Sequence, residues 1–426
     1  MSERFKNKNV LVIGMGISGC SAARFLARKN AKVFVTEGAS GLNIQTTAEE
    51  LSQDGICVEI GGHTKEFCRE PFMVVVSPGV DIHLPKVVSI IPDGVPVIGE
   101  LELGAMYCDA FMVAVTGTNG KSTTVELIGH ILTSSGRHTV VCGNIGTPIT
   151  SVVDNLDKNS FAVVEVSSFQ LETIKKFKPG IAALLNVADD HYDRHGDYDS
   201  YKKEKLRIFT NQDKDNYALI PSYLRDDVIA TNVKGHIVCF DDEDIKMNIT
   251  EIPLKGKHNV ENVKCAVAVS RLIGVDEDKI KSGVINFKNL DCRFESIGIF
   301  EDIEYIDDSK ATNIDATKRA LESLDKRVVL IAGGRDKGGD YRQVLPIVRE
   351  KVKAMVVIGE AREKLMSVFS NAIPVIEADT MSEAVKYASR EAVQGEAVLL
   401  SPMCSSFDMF RNYRERGEAF RKEVLS

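Results

Sequence analysis

The stretch Phe111–Thr124, FMVAVTGTNGKSTT, constrains the chain most: an apolar run breaks into a glycine-rich turn, and the turn opens a helix through Val125-Glu126-Leu127-Ile128. Glycines let backbone N–H groups approach phosphate oxygens, and the positive end of the helix favours an anion there. Lys121 is then placed to reach terminal phosphates and Ser122 to ligate Mg²⁺. Only Thr118 and Asn119 separate Gly117 from Gly120, where the general phosphate-loop pattern has four residues. A plain helix start after a tight turn is the alternative reading. The loop points to a nucleotide and leaves the reaction open.

Short Val/Ile-rich runs alternate with helix-length amphipathic segments almost throughout, which is the α/β signature. A chain of 426 residues exceeds one comfortable core, so two or three domains are expected. The first unit opens with Val10–Ile13 and Gly14-Met-Gly16-Ile-Ser-Gly19, and its second strand ends at Glu37. This is a G-x-G-x-x-G between strand and helix with an acid further on, as in a dinucleotide (Rossmann) site; glycines serving only close helix–strand packing are the alternative. The strand pattern restarts at the phosphate loop and again at Ile303–Ile306. The expected architecture is three consecutive α/β domains: 1–97 Rossmann-like, 98–290 resembling a P-loop ATPase, and 291–426 Rossmann-like.

The net charge of −8 argues against a nucleic-acid protein. Nine scattered cysteines without a Cys-x-x-Cys pair suit a reducing compartment. The charged N-terminus lacks a signal-peptide pattern, and no apolar run reaches the roughly twenty residues of a membrane span. A cytoplasmic chain is expected.

The densest chemistry lies in the middle unit. Glu165 stands near the end of the apolar strand Ala162–Val166, where it can be a second Mg²⁺ contact beside the phosphate loop. Asp189-Asp190-His191-Tyr-Asp-Arg194-His195 follows another strand; a second divalent-ion site, substrate positioning and helix capping are all open for it. Tyr192 stands where a zincin has its glutamate, which argues against that class. Lys205 lies in a basic helix that reads as a solvated face. Were it near the metal cluster, an ammonium about 4 Å from a dication would be repelled by roughly 8 kcal/mol at an effective dielectric of 20, so it would lie elsewhere or lose its charge. Asn259 and Asn262 share a helix face that suits a purine or a cap. Arg293, Lys310 and Lys337, close to strand ends of the last unit, suit a substrate rich in phosphate and carboxylate.

GTNGKST, the E-x-SSFQL stretch at Glu165–Leu171, NVADDHYDRH and DDSKATN together resemble the Mur ligases, ATP-dependent amide ligases of peptidoglycan precursor synthesis. The resemblance spans essentially the whole chain. Lys-Leu-Arg at Lys205, Cys292-Arg293-Phe-Glu and Leu400–Phe407 are similar to the branch that adds D-glutamate to UDP-N-acetylmuramoyl-L-alanine through an acyl phosphate. The resemblance implies ATP and Mg²⁺ at two sites. Gly117, Thr118, Asn119, Gly120, Lys121, Ser122 and Thr123 would hold ATP phosphates, with Ser122, Glu165, His191 and a carbamylated Lys205 around the metals. Lys121, Glu165, His191 and Lys205 would carry the catalysis. Asn262, Arg293, Asp308 and Lys310 would contact ATP, and Asn144 the precursor. Thr312, Lys337, Ser406 and Phe407 would place D-glutamate, and Ile17, Ser18, Glu37, Ser77 and Gly79 the UDP end. A monomer is expected. Two departures stand out: Cys292 where a histidine is common, and Tyr413 where phenylalanine is expected.

Overall fold

The computed structural model describes residues 4–248, 251–254 and 256–426. Three sheets follow one another along the chain, each sandwiched by helices. The first comprises β1 (Asn9–Ile13), β2 (Lys32–Glu37), β3 (Cys57–Ile60), β4 (Met73–Val76) and β5 (Val97–Gly99), all parallel, in the order β3-β2-β1-β4-β5. The second comprises β6 (Phe111–Thr116), β7 (Thr139–Gly143), β8 (Phe161–Glu165), β9 (Ile181–Leu184), β10 (Tyr217–Ile220) and β11 (His236–Cys239). These too are parallel, ordered β11-β10-β9-β6-β8-β7. The expected three-unit α/β architecture is what the chain adopts.

The third sheet, β12 (Glu295–Phe300), β13 (Ile303–Asp307), β14 (Val328–Gly333), β15 (Val352–Ile358), β16 (Val375–Glu377) and β17 (Ala397–Leu400), runs β12-β13-β17-β14-β15-β16. Its edge strand β12 is antiparallel to β13, with a register shift between Ser296 and Gly298. That strand escapes the sequence pattern because half of ESIGIF faces solvent and a glycine breaks its alternation.

Period-two alternation explains why apolar strands are needed. In β6, Val113 and Val115 face one core cluster, while Met112 and Ala114 face the other. Gly19 is required by a close approach, since a Cβ there would lie 2.0 Å from the Gly14 carbonyl oxygen. The packing role weighed for this glycine is therefore real.

The helix Glu100–Ala105 joins the first sheet to the second and buries two carboxylates. Glu102 accepts hydrogen bonds from the backbone N–H groups of Lys175, Lys176 and Phe177 at 2.9–3.0 Å. Glu100 accepts from the Thr150 N–H (2.8 Å) and hydroxyl (2.7 Å). Thr150 also receives Arg28 on its carbonyl, and its hydroxyl lies 2.7 Å from that of Ser21, so it ties the first domain to the second. In the third domain the buried guanidinium of Arg416 donates to the carbonyls of Ser309 and Cys404 and pins the last helix, Tyr413–Val424, to two strand-end loops.

Burial raises the Glu100 carboxyl to about 7 against the two Thr150 hydrogen bonds. The folded chain thus holds this proton more tightly than the unfolded chain. Its contribution to stability is complete below about pH 4.5 and is lost as pH rises through about 7. Glu100→Gln, which keeps an acceptor for Thr150, should flatten urea-denaturation stability between pH 5 and 8 by on the order of 2 kcal/mol relative to the parent chain.

Candidate functional site

The carboxyl ends of the second and third sheets face each other, where open parallel sheets gather their ligands. After β6 the loop turns at Gly120 (φ +84°) into the helix Lys121–Ser134. The left-handed backbone at Gly120 brings the turn against Asn262, and a Cβ there would lie 2.3 Å from Asn262 Oδ1. Asn262 in turn donates to Asn259 Oδ1 at 3.0 Å, so the two amides share one face as expected. Asn186 holds the loop from β9: its Oδ1 accepts from the Asn119 N–H at 2.9 Å, and its Nδ2 donates to the Asn119 carbonyl at 3.1 Å.

Lys121 Nζ folds back to donate to the Gly117 (2.8 Å) and Thr118 (2.9 Å) carbonyls. Lys205 is buried rather than solvated, and its Nζ donates to the same Gly117 oxygen at 2.8 Å. Two ammonium groups cannot both keep full charge around one carbonyl in a dry site. Burial first, and the Lys121 charge second, push Lys205 well below the ordinary lysine range, against the pull of Asp190 and Glu165. Lys205 Nζ lies over the Tyr201 ring, 4.5 Å from its centroid.

Glu165 ends β8 and is 3% exposed. Burial favours its proton, but Lys121, Ser122, Asn144 and Arg293 outweigh that and keep the carboxyl below its ordinary value. Asn144 Nδ2 donates to Oε1 at 2.8 Å, while Oε2 is buried with no partner among the described residues. His191 sits in the left-handed region (φ 56°) before a one-turn helix, with its ring 4.9 Å from Phe169. Burial drops its pKa to about 4, so the imidazole is neutral at pH 7. The Glu165 Oε2, buried without a hydrogen-bond partner, and the Ser122 hydroxyl are oxygen donors of the kind Mg²⁺ takes. The capping reading fails for His191, which makes no side-chain cap, and the next helix is capped by Asp197. His195 is packed away, its ring stacked on Phe169 and its Nε2 3.0 Å from the Ser168 hydroxyl.

Two clefts adjoin this cluster. One is lined by Asn119, Gly120, Thr123, Asn262, Arg293, Asp308 and Lys310, which gathers most of the ATP-contact set named from the sequence. Enclosure raises the Asp308 carboxyl to about 8 and lowers Lys310 to about 7. Lys310 Nζ also lies over Tyr413, 4.2 Å from the ring centroid. The second cleft brings His191 together with Thr312 and Lys337. Among the described residues, Ser406 (buried) and Phe407 (63% exposed) line neither cleft.

Asp190 and Asn313 were not singled out from the sequence. The side chain of Asp190 is 6% exposed and accepts from Lys337 at 3.2 Å and Asn313 at 3.0 Å. Its only signal was the acidic doublet, and no spacing rule links it to partners in another domain. In the first domain, Ile17, Ser18, Ser77 and Gly79 gather at the carboxyl ends of β1 and β4. The Glu37 carboxylate there accepts from the N–H groups of Met15 (2.8 Å) and Ala39 (3.0 Å), which shapes the glycine loop.

Family models match along the chain: "Mur ligase MurD-like, N-terminal domain" at residues 8–99, "Mur ligase middle domain" at 115–237, and "Mur ligase, glutamate ligase domain" at 292–404. The chain belongs to the Mur ligase family. It is 40% identical, over 99% of its length and 97% of the relative's, to a protein of Acidobacterium capsulatum named UDP-N-acetylmuramoylalanine–D-glutamate ligase. Among solved structures it is similar in fold to MurF from Acinetobacter baumannii, with a TM-score of 0.63 at 18% identity over 96% of this chain and 93% of that one. MurF ligase from Thermotoga maritima in complex with ADP gives 0.61 at 16% identity over 93% and 96%.

Gly120→Ala forces a side chain into the left-handed region and onto Asn262. ADP affinity by calorimetric titration should fall at least about ten-fold, and stability in urea by about 1–2 kcal/mol.

Proposed function

We propose that this chain is an ATP-dependent ligase that joins D-glutamate to UDP-N-acetylmuramoyl-L-alanine in peptidoglycan precursor synthesis. The observation that carries the reading is full-length identity of 40% to a ligase of that name. The geometry suits it: a glycine loop and a buried acid of the second sheet and cations from the third converge on one place.

A precursor carboxylate oxygen attacks the terminal phosphorus of ATP, the bond to ADP breaks, and an acyl phosphate forms. The amine of D-glutamate then attacks the acyl carbon, and inorganic phosphate leaves as the amide bond closes. Orientation and charge neutralisation dominate such chemistry. The loop Gly117–Thr123 and Lys121 hold the phosphates, with Asn262, Arg293, Asp308 and Lys310 around the nucleotide. Asn144 positions the precursor, and Thr312 and Lys337 the acceptor amino acid. Ser406 and Phe407 are assigned to the acceptor too, and Ile17, Ser18, Glu37, Ser77 and Gly79 to the UDP end. Ser122, Glu165, His191 and Lys205 would hold Mg²⁺ in two sites, where the ion would supply neutralisation of phosphate charge. The downward shift of Lys205 favours the uncharged amine, the form that would add to carbon dioxide, forming an N–C bond and releasing a proton to give an anionic carbamate. The working units are 1–97 for the precursor, 98–290 for ATP and 291–426 for the amino acid.

Among the described residues no helix is long and apolar enough to cross a membrane, and all nine cysteines are free thiols. Free thiols suit a reducing compartment such as the cytoplasm, where we place the enzyme, as a monomer.

Phosphate release in the presence of ATP, Mg²⁺ and UDP-N-acetylmuramoyl-L-alanine should depend on D-glutamate. Activity with L-glutamate or L-alanine instead would overturn the assignment, and NAD(P)H binding without ATP binding would favour an oxidoreductase. Lys205→Ala should lose at least about a hundred-fold in rate and recover part of it with a small added carboxylic acid. The carbamate role is wrong if no acid restores turnover and no ¹³CO₂-derived resonance distinguishes the parent chain from the variant.

A further inference from the structure

Asn313 makes contacts that the chemistry above does not use. It caps the helix Ile314–Glu322, with Oδ1 accepting from the Ala316 N–H at 2.8 Å. Its Nδ2 donates to Asp190 Oδ2 at 3.0 Å and to Asn119 Oδ1 at 3.1 Å. Asn119, inside the phosphate loop, returns a hydrogen bond from Nδ2 to Asp315 Oδ2 at 2.8 Å. One carboxamide of the third domain therefore touches the phosphate loop, the acid next to His191 and the start of its own helix. The side chain is shielded, the residue being 7% exposed.

Its neighbours join the same two domains. Lys337 Nζ reaches Asp190 Oδ1 at 3.2 Å, on the opposite carboxylate oxygen from Asn313. Further out, Arg319 pairs with Glu261 at 3.2 Å, and Gln343 donates to Asp189 at 2.8 Å. The rim contacts are exposed and screened, so they add little to closure. The Asn313 contacts are sheltered, and one is to a carboxylate, which roughly doubles the strength of a hydrogen bond.

We propose that Asn313 is a positioning residue that couples docking of the third domain to the shape of the phosphate loop, so that phosphoryl transfer runs only when the acceptor-binding domain is in place. The inference rests on the ligase reading and goes beyond it. Its chemical logic is protection: an acyl phosphate formed in an undocked site faces water before it meets an amine. A carboxamide suits the task because it donates to Asp190 and Asn119 while still accepting at the helix cap. Aspartate would keep the cap but lose both donations and set a second carboxylate against Asp190. Serine would also cap, yet is too short to reach across.

The test compares the full chain with Asn313→Ser and Asn313→Asp, using thermal melts to verify folding. ADP formation is followed by rapid quench in a single turnover with UDP-N-acetylmuramoyl-L-alanine and no D-glutamate, and steady-state ligation is measured beside it. Both variants should slow ADP formation about ten- to a hundred-fold, as for a lost hydrogen bond to a charged group, and slow ligation by the same factor. The KM for D-glutamate should change less than about three-fold. ADP formation at the parental rate with a raised D-glutamate KM would make Asn313 an acceptor-subsite residue and overturn the coupling, as would parental rates in Asn313→Ser. A parent chain that forms no amide with D-glutamate overturns the ligase reading and this inference with it; parental turnover isolates the failure to Asn313.

Discussion

Two lysine side chains share one backbone carbonyl, that of Gly117, and much of the site's arrangement follows from this crowding. Away from water neither a lone charge nor a pair of like charges is tolerable, so the surroundings divide the protons. Burial pushes both amines below the ordinary lysine range, Lys205, the more deeply enclosed, well below it. Glu165 and Asp190 remain anionic because cations and amides outweigh the cost of burying them. His191 is left neutral. The result is a pocket in which the carboxylates of Glu165 and Asp190 and the imidazole of His191 lie beside the glycine loop, with Lys121, Arg293 and Lys337 among their neighbours.

Such a cluster has to be assembled from several strand ends at once. The loop after β6 supplies the lysine and hydroxyls, β8 ends in Glu165, and the segment after β9 carries Asn186, Asp190 and His191. The third sheet, facing the second, adds Asp308, Lys310 and Asn313 after β13 and Lys337 after β14. Parallel topology puts all of these at carboxyl ends, and the two sheets meet there. The first domain stays apart, its glycine loop and Ser77 forming a separate edge tied to the centre through Ser21 and Arg28 on Thr150 and through Arg194, which donates to the Val80 carbonyl.

Much of this was legible beforehand. The phosphate loop, the strand ending in Glu165 and the three restarts of the α/β pattern are local, set by period-two apolar alternation and by glycines at turns. Edge strand β12 was not legible, because an exposed strand with a glycine lacks that alternation. The basic helix around Lys205 misleads in isolation: its composition suggests a solvated face, yet Lys205 and Tyr201 turn inward against the loop. Asp190 showed only as part of an acidic doublet and Asn313 left no local signal, since neither sits in a spacing that any ligand geometry demands.

From the sequence alone came the local chemistry: which strand breaks into a phosphate loop, which acid sits at which strand end, and which family the motifs resemble. These follow from neighbouring residues and from the repeat of the backbone. Tertiary structure alone decided the pairings and the charge states. Lys205 meets Gly117 across 88 positions, Lys337 meets Asp190 across 147, and Asn313 meets Asn119 across 194. No periodicity records such distances, and whether an amine keeps its proton depends on the solvent it loses and the charges that the fold brings beside it.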